Sequence, residues 1–230
     1  MLIGPQNLTL HVNHVRSRIR SAAIASGRDP DSVTLVAVTK AKTAELVRLA
    51  ATAGVTDFGE NYLQEALAKM DQLADLRLVW HFIGGIQSNK TKAIAERFDW
   101  VQSVDRLNIA RRLSEQRPFH APPLNVCIQV ALIPESTKGG VAPEALPGLA
   151  GAVAALPRLK LRGLMCVPPP QADPGAERAV FGLLREALLD LNARGLNLDT
   201  LSMGMSADFE SAIAEGATLV RVGTALFGSR

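Results

Sequence analysis

Residues 33–42 read Val-Thr-Leu-Val-Ala-Val-Thr-Lys-Ala-Lys. The first six, Val33–Val38, form a β-branched apolar run too short for a buried helix, which predicts a strand. Such a run, apolar on both faces, suits a parallel sheet covered on each side. Directly after it, Ala44–Ala53 has helical spacing and stops at Gly54. The joint between the two decides the architecture. A doubly wound nucleotide-binding sheet needs a glycine-rich turn after its first strand. Thr39-Lys-Ala-Lys42 contains no glycine, which favours a barrel.

The same alternation continues on both sides. Upstream, Pro5–Gly27 carries Leu8, Val12, Val15, Ile19, Ala22 and Ala23 at helical spacing and forms an extra N-terminal helix. Downstream, strands are expected at Asp57–Gly59, Leu78–Ile83, Trp100–Val104, Asn125–Ile133, Leu161–Val167, Thr200–Met203 and Thr218–Gly223. Helices are expected at Tyr62–Leu73, Asn89–Phe98, Arg106–Gln116, Pro143–Leu156, Ala176–Arg194 and Asp208–Glu215, followed by a C-terminal tail. Strands alternating with helices imply right-handed βαβ units and a parallel sheet. Eight such units in a chain of 230 residues predict an α/β fold, a single (β/α)8 TIM barrel filling residues 1–230. Pro168–Gly175 then reads as a βα loop, because strands continue on both sides of it.

Composition narrows the function classes. Hydrophobic residues make up 47% and charged residues 20%, which excludes a disordered chain. Lys+Arg is 25 and Asp+Glu 22, and no basic run reaches five residues, so a nucleic-acid stripe is not indicated. Cys127 and Cys166 sit in apolar runs without C-x-x-C spacing, which disfavours zinc and disulfides and fits a reducing compartment. No signal-like segment opens the chain, and no apolar run approaches the ~20 residues that span a bilayer. The expectation is a soluble, cytoplasmic protein with no membrane partner.

In a barrel the active end is formed by the C-terminal tips of the strands. Polar and glycine residues gather at those tips here. Lys40 ends the first strand. Desolvating an amine favours its neutral form, and a neutral amine is what Schiff-base chemistry with an aldehyde or ketone needs. The alternative is a lysine that snorkels to solvent. Ser206 and Gly223-Thr224 follow the last two strands, where barrels often bind phosphate. Read blandly, Ser206 caps the Asp208–Glu215 helix and Gly223 only turns the chain. Arg221, inside an apolar strand, needs an anionic or acceptor partner, either a ligand or an ion pair such as Glu60. His81 is a core histidine or a catalyst. Asn61, Gln87 and Asn89 either bind a ligand or cap helices. Asp57, Glu60, Asp105 and Glu135 lack His or Cys partners at metal spacing, so no metal is expected.

Six motifs together resemble the YggS/PROSC family of pyridoxal phosphate homeostasis proteins. They are Val36-Ala-Val-Thr-Lys40; Phe58-Gly-Glu-Asn-Tyr62 with Gln64-Glu65; Trp80-His-Phe-Ile-Gly84 with Gln87-Ser-Asn-Lys90; Glu135-Ser-Thr-Lys-Gly-Gly140; Leu201-Ser-Met-Gly-Met-Ser206 with Asp208 and Glu210; and Arg221-Val-Gly-Thr-Ala-Leu-Phe-Gly228. The resemblance implies a barrel like the N-terminal domain of alanine racemase, with pyridoxal 5′-phosphate (PLP) held as a Schiff base on Lys40. It implies that Ser206, Gly223 and Thr224 hold the phosphate, with Met205 beside them, and that Arg221 faces the pyridine nitrogen. Asn61 and His81 fall on motif positions near the cofactor. Lys138 matches a second lysine that either captures PLP transiently or is an ordinary loop residue. Two positions depart from the family pattern. Ala131-Leu-Ile133 stands where polar residues are usual, and Gly85 where a larger residue is common.

The leading expectation is a PLP carrier without strong catalysis, a monomer that stores the cofactor and passes it to apo PLP-dependent enzymes. An arginine at the pyridine nitrogen leaves the ring a poor electron sink. The alternative is a PLP-dependent racemase or decarboxylase. A racemase needs an acid/base group on each face of its substrate, and the related racemases draw one from a further C-terminal domain that this chain is not expected to carry. A Schiff-base aldolase is a third class, disfavoured because such enzymes place the lysine on a later strand.

Overall fold

The run at residues 33–38 forms β1 (Thr34–Val38), and seven further parallel strands follow it. They are β2 (Asp57–Glu60), β3 (Val79–Phe82), β4 (Trp100–Val104), β5 (Leu124–Gln129), β6 (Leu159–Met165), β7 (Thr200–Ser202) and β8 (Leu219–Val222). The structure is a computed structural model that describes residues 5–133 and 139–228. Each strand pairs with the next, and β8 returns to β1 through Val36↔Arg221 and its neighbours, so the sheet closes into a barrel. Closure removes every sheet edge. The expected (β/α)8 architecture is therefore the observed one.

The helices are α1 (Pro5–Ala25), α2 (Ala44–Thr52), α3 (Leu63–Gln72), α4 (Thr91–Arg97), α5 (Leu107–Gln116), α6 (Leu146–Ala154), α7 (Pro174–Ala193), α8 (Phe209–Ala214) and α9 (Thr224–Phe227). α1 buries Leu8, Val12, Val15, Ile19 and Ala23, the stripe seen in the sequence, against α2, α8 and α9. It thereby covers the seam between β8 and β1, where the four-residue α9 is too short to do so. Among the described residues no helix is long and apolar enough to cross a membrane.

Three expected boundaries move. β5 stops at Gln129 rather than Ile133, because the chain turns there and Val130 bridges to Val141 instead. The helix after it starts with a 3₁₀ turn, Pro143–Ala145, and becomes α-helical only at Leu146. The expected C-terminal tail holds α9, which the sequence reading missed.

Two neighbouring features fix the tips of β1–β3. A Cβ on Gly84 would lie 2.1 Å from the Asn61 carbonyl oxygen, so only glycine lets the loop after β3 cross the Asn61 backbone. Thr39 and Glu60 turn outward toward α3, where buried Lys69 donates to both Glu60 Oε1 and the Thr39 carbonyl at 2.6 Å. Alternation along β1 then directs Val36, Val38 and Lys40 to the inner side.

Candidate functional site

A cavity of about 290 Å³ opens at the C-terminal tips. Lys40, Asn61, Met205, Ser206, Arg221, Gly223 and Thr224 line it, with Val38, Ile83, Val167 and Ala207 completing the wall. Seven residues singled out from separate strands are thus brought together. Its size lies near the lower end of small-molecule sites.

Lys40 is half-buried, and among the described residues its amine has no hydrogen-bond or ion-pair partner. The next residue, Ala41, takes a positive φ of 57° and is held there by its N–H donating to Glu65. This turns the chain away immediately after Lys40 and leaves the side chain at the cavity.

The opposite wall comes from β7 and β8. Gly204 has φ 93°, and a Cβ there would meet the Ala212 Cβ at 2.7 Å, so glycine is required for the loop to fold onto α8. Past it, Asp208 accepts from the Met205 N–H at 2.6 Å. Burial pushes the Asp208 carboxyl up, and the charge of Glu177 adds to this against the backbone N–H and Arg221. Ser206 does not cap α8, as the bland reading had it. Its hydroxyl accepts from the N–H groups of Gly223 (3.3 Å) and Ala225 (3.2 Å), across to the start of α9. The N–H groups of Ser206 and Thr224 have no partner among the described residues. Free amides beside two small hydroxyls suit an anion such as phosphate.

Arg221 forms part of the floor. It is only 4% exposed, and burial works to lower its pKa from the ordinary arginine value. The proposed pair with Glu60 is not formed, because Glu60 points out of the barrel to Lys69. Instead Arg221 donates to Ser202 Oγ at 2.6 Å and to the Cys166 carbonyl at 2.8 Å.

His81, expected near the cofactor, sits deeper than the other site residues. It does not line the cavity but is fully buried below it, stacked on Trp100 with ring centroids 5.5 Å apart. Its nitrogens bond Asp57 Oδ1 and the Gln102 amide, each at 2.9 Å. The sequence reading did not select Gln102 or Ser202. The signal was a polar residue within a β-branched strand, Trp100-Val-Gln-Ser-Val104. Gln87 lines an adjacent cavity of about 500 Å³, together with Tyr62, Glu65, Lys90 and Asn61. Ala131–Ile133 border a small hollow beside Cys166 and Pro168. A side chain at Gly85 would meet open space. Lys138 lies outside the described residues.

The family model for the alanine racemase N-terminal domain matches residues 10–230. A protein of Pseudomonas aeruginosa named pyridoxal phosphate homeostasis protein is 64% identical over 220 residues, 96% of this chain and 94% of that one. Its namesake from Escherichia coli K12 is 48% identical over 219 residues, 94% of each. The structure of PipY from Synechococcus elongatus with PLP bound has a TM-score of 0.82 at 40% identity, covering 92% of this chain and 99% of that one. With its motifs, barrel and relatives in agreement, the chain belongs to the alanine racemase N-terminal domain family and, within it, to the YggS/PROSC family of pyridoxal phosphate homeostasis proteins.

Proposed function

We propose that this protein binds pyridoxal 5′-phosphate as a Schiff base on Lys40 and serves intracellular PLP homeostasis, storing the cofactor or delivering it to apo PLP-dependent enzymes. The single observation that carries this is the unpartnered Lys40 amine facing one cavity with Arg221 and the Ser206–Thr224 cluster. The donor set fits the cofactor. An orphaned, buried Asn61 Oδ1 in the same wall offers a further polar contact. PLP supplies an aldehyde, an electrophile for an unprotonated amine. Ser206, Gly223 and Thr224 would hold its phosphate, and Met205 would pack beside it. Arg221 would face the ring nitrogen and, staying protonated itself, leave that nitrogen without a proton. The ring then withdraws electrons weakly, which favours holding the cofactor over carbanion chemistry.

Racemase chemistry finds less support. The chain's single tyrosine, Tyr62, is 53% exposed and lines the neighbouring cavity rather than the one with Lys40. On this reading the protein acts in the cytoplasm as a monomer of one barrel domain.

The test is spectroscopic. Protein incubated with PLP and desalted should be yellow, and Lys40→Ala should be colourless. Borohydride should fix the cofactor's mass on the peptide that contains Lys40. A wild type that takes up no PLP would overturn the proposal, as would rapid conversion of L- to D-alanine.

A further inference from the structure

A chain of side-chain hydrogen bonds crosses the barrel interior from Arg221 on β8 to Asp57, the first residue of β2. Arg221 donates to Ser202 Oγ (2.6 Å), Ser202 donates to Gln102 Oε1 (2.6 Å), the Gln102 amide meets His81 Nδ1 (2.9 Å), and His81 Nε2 meets Asp57 Oδ1 (2.9 Å). The buried middle of the chain touches no solvent, since His81, Gln102 and Ser202 are each fully buried.

The chemistry of the two ends dictates every proton between them. Arginine can only donate, so Ser202 Oγ must accept from it and pass its own hydrogen on to Gln102. That sets the Gln102 amide with its oxygen toward Ser202 and its NH₂ toward His81. His81 Nδ1 must then accept, and the ring proton sits on Nε2, aimed at Asp57. Burial opposes the charge on Asp57, but hydrogen bonds from His81 and Thr56 outweigh it and hold the carboxyl below its usual range. The far end is therefore an acceptor-only carboxylate. All the donors point one way, from cation to anion. An amide in the middle does not relay protons, so the chain fixes geometry rather than conducting.

The strand that supplies Gln102 is built irregularly. Between Val101 and Val104, β4 runs one residue longer than its partner β5. A bulge of this kind re-aims side chains, often next to a functional site. Here Ser103 turns to the Gly84 carbonyl (2.6 Å) while Gln102 enters the barrel.

We infer that Ser202, Gln102, His81 and Asp57 are positioning residues for Arg221, fixing the orientation from which its guanidinium would meet the ring nitrogen of PLP. The inference rests on the PLP-binding reading above. Among the described residues Arg221 has no carboxylate within ion-pair distance, so this chain and the Cys166 carbonyl orient it. Asp57 also lines a separate cavity with Arg20, Thr34 and Thr56 at the starts of β1 and β2, away from Lys40. A change there lies outside the cavity with Lys40, and the hydrogen-bonded chain links it to Arg221.

The experiment is PLP titration with the full absorbance spectrum, on wild type, Ser202→Ala, Gln102→Leu and Asp57→Asn, each also combined with Arg221→Ala. The expected result is an altered spectrum and a PLP dissociation constant raised about three- to tenfold in each single variant. In the Arg221→Ala background the same changes should add nothing further, the mark of residues acting through a shared partner. Should Gln102→Leu fail to fold, the near-isosteric Ser202→Ala and Asp57→Asn carry the test. Folded variants with wild-type spectrum and affinity would overturn the inference while leaving the PLP reading intact. So would effects that persist undiminished without Arg221. A wild type that takes up no PLP would overturn both together.

Discussion

Replacing Lys69 by Met isolates the buried pair that braces the β1 tip. Lys69 and Glu60 meet at 2.6 Å with side-chain exposures of 7% and 0%, and Lys69 also donates to the Thr39 carbonyl beside Lys40. Among the described residues Glu60 Oε2 has no hydrogen-bond partner. Burial pushes the Glu60 carboxyl above its usual range, although hydrogen bonds from Lys69 and Thr39 pull against this. Removing the amine strands a buried carboxylate, a change that typically costs about 3–5 kcal/mol. For a chain of this length each kcal/mol shifts Tm by roughly 2–4 °C, so the variant should melt about 6–20 °C lower. The pH sign follows from the direction of the Glu60 shift. A carboxyl with a raised folded pKa binds more protons folded than unfolded, so stability falls as pH climbs from the unfolded value, about 4.3, through the folded one. Without Lys69 the folded value climbs further. The deficit should therefore be greatest at about pH 7.5 and shrink as pH falls toward about 5, because protonation relieves the stranded charge. Thermal unfolding by circular dichroism at both pH values, with Lys69→Met/Glu60→Gln as control, reads all of this. The double variant should recover most of the loss. A Tm drop under about 2 °C, or a deficit that grows as pH falls, would refute the reasoning.

Two further outcomes follow from burial elsewhere. Burial pushes both free thiols, Cys127 and Cys166, up to about 12, so neither should react with a disulfide reagent at about pH 8 until guanidinium unfolds the chain; a thiol that titrates in the native protein would contradict their placement. Arg117 donates to the carbonyls of Ala95, Phe98 and Pro122 at 2.6–2.9 Å, so Arg117→Ala leaves three acceptors without a donor and should lose at least about 2 kcal/mol in chemical unfolding, with Lys rescuing only part because it lacks the planar fork.

The barrel was legible because each βα unit announces itself locally, by a short run of strand-forming residues and then a helical stripe, closed by a glycine after α2, α7 and α8. The cavity was legible for a related reason. Lys40, Asn61, Ser206, Arg221 and Gly223 each sit at a strand tip or in its last turn, and closure of the sheet brings the tips together. What stayed hidden depends on contacts distant in sequence. Ser206 lies two residues before Asp208, so it read as a cap for α8, whereas its hydroxyl serves α9, 17 and 19 residues away. His81 sits one alternation short of Ile83, which does reach the cavity, and a motif match does not register that one-layer difference. Gln102 and Ser103 are both buried between Val101 and Val104 of a bulged strand, and period-two reasoning fails where a bulge adds a residue.

The arrangement of cations around the site argues for which one reacts. Lys42 donates to the Phe227 and Gly228 carbonyls at 3.1 and 3.4 Å, and Lys69 is committed to Glu60 and Thr39. Arg221 is anchored by Ser202 and Cys166 and does not give up its proton under physiological conditions. An amine that donates to fixed acceptors would forfeit those bonds in any reaction, so it is committed to the fold. Lys40 is the amine near the β1 tip that carries no such commitment among the described residues. On the proposed reading it would react with an aldehyde without breaking a contact the fold depends on. The same residues that stiffen its surroundings, Lys69 beneath Thr39 and Glu65 on Ala41, leave the side chain itself unbound. A rigid backbone carrying one uncommitted amine suits the reversible imine site proposed above: on that reading the cofactor would be taken up and released without breaking a contact the fold depends on.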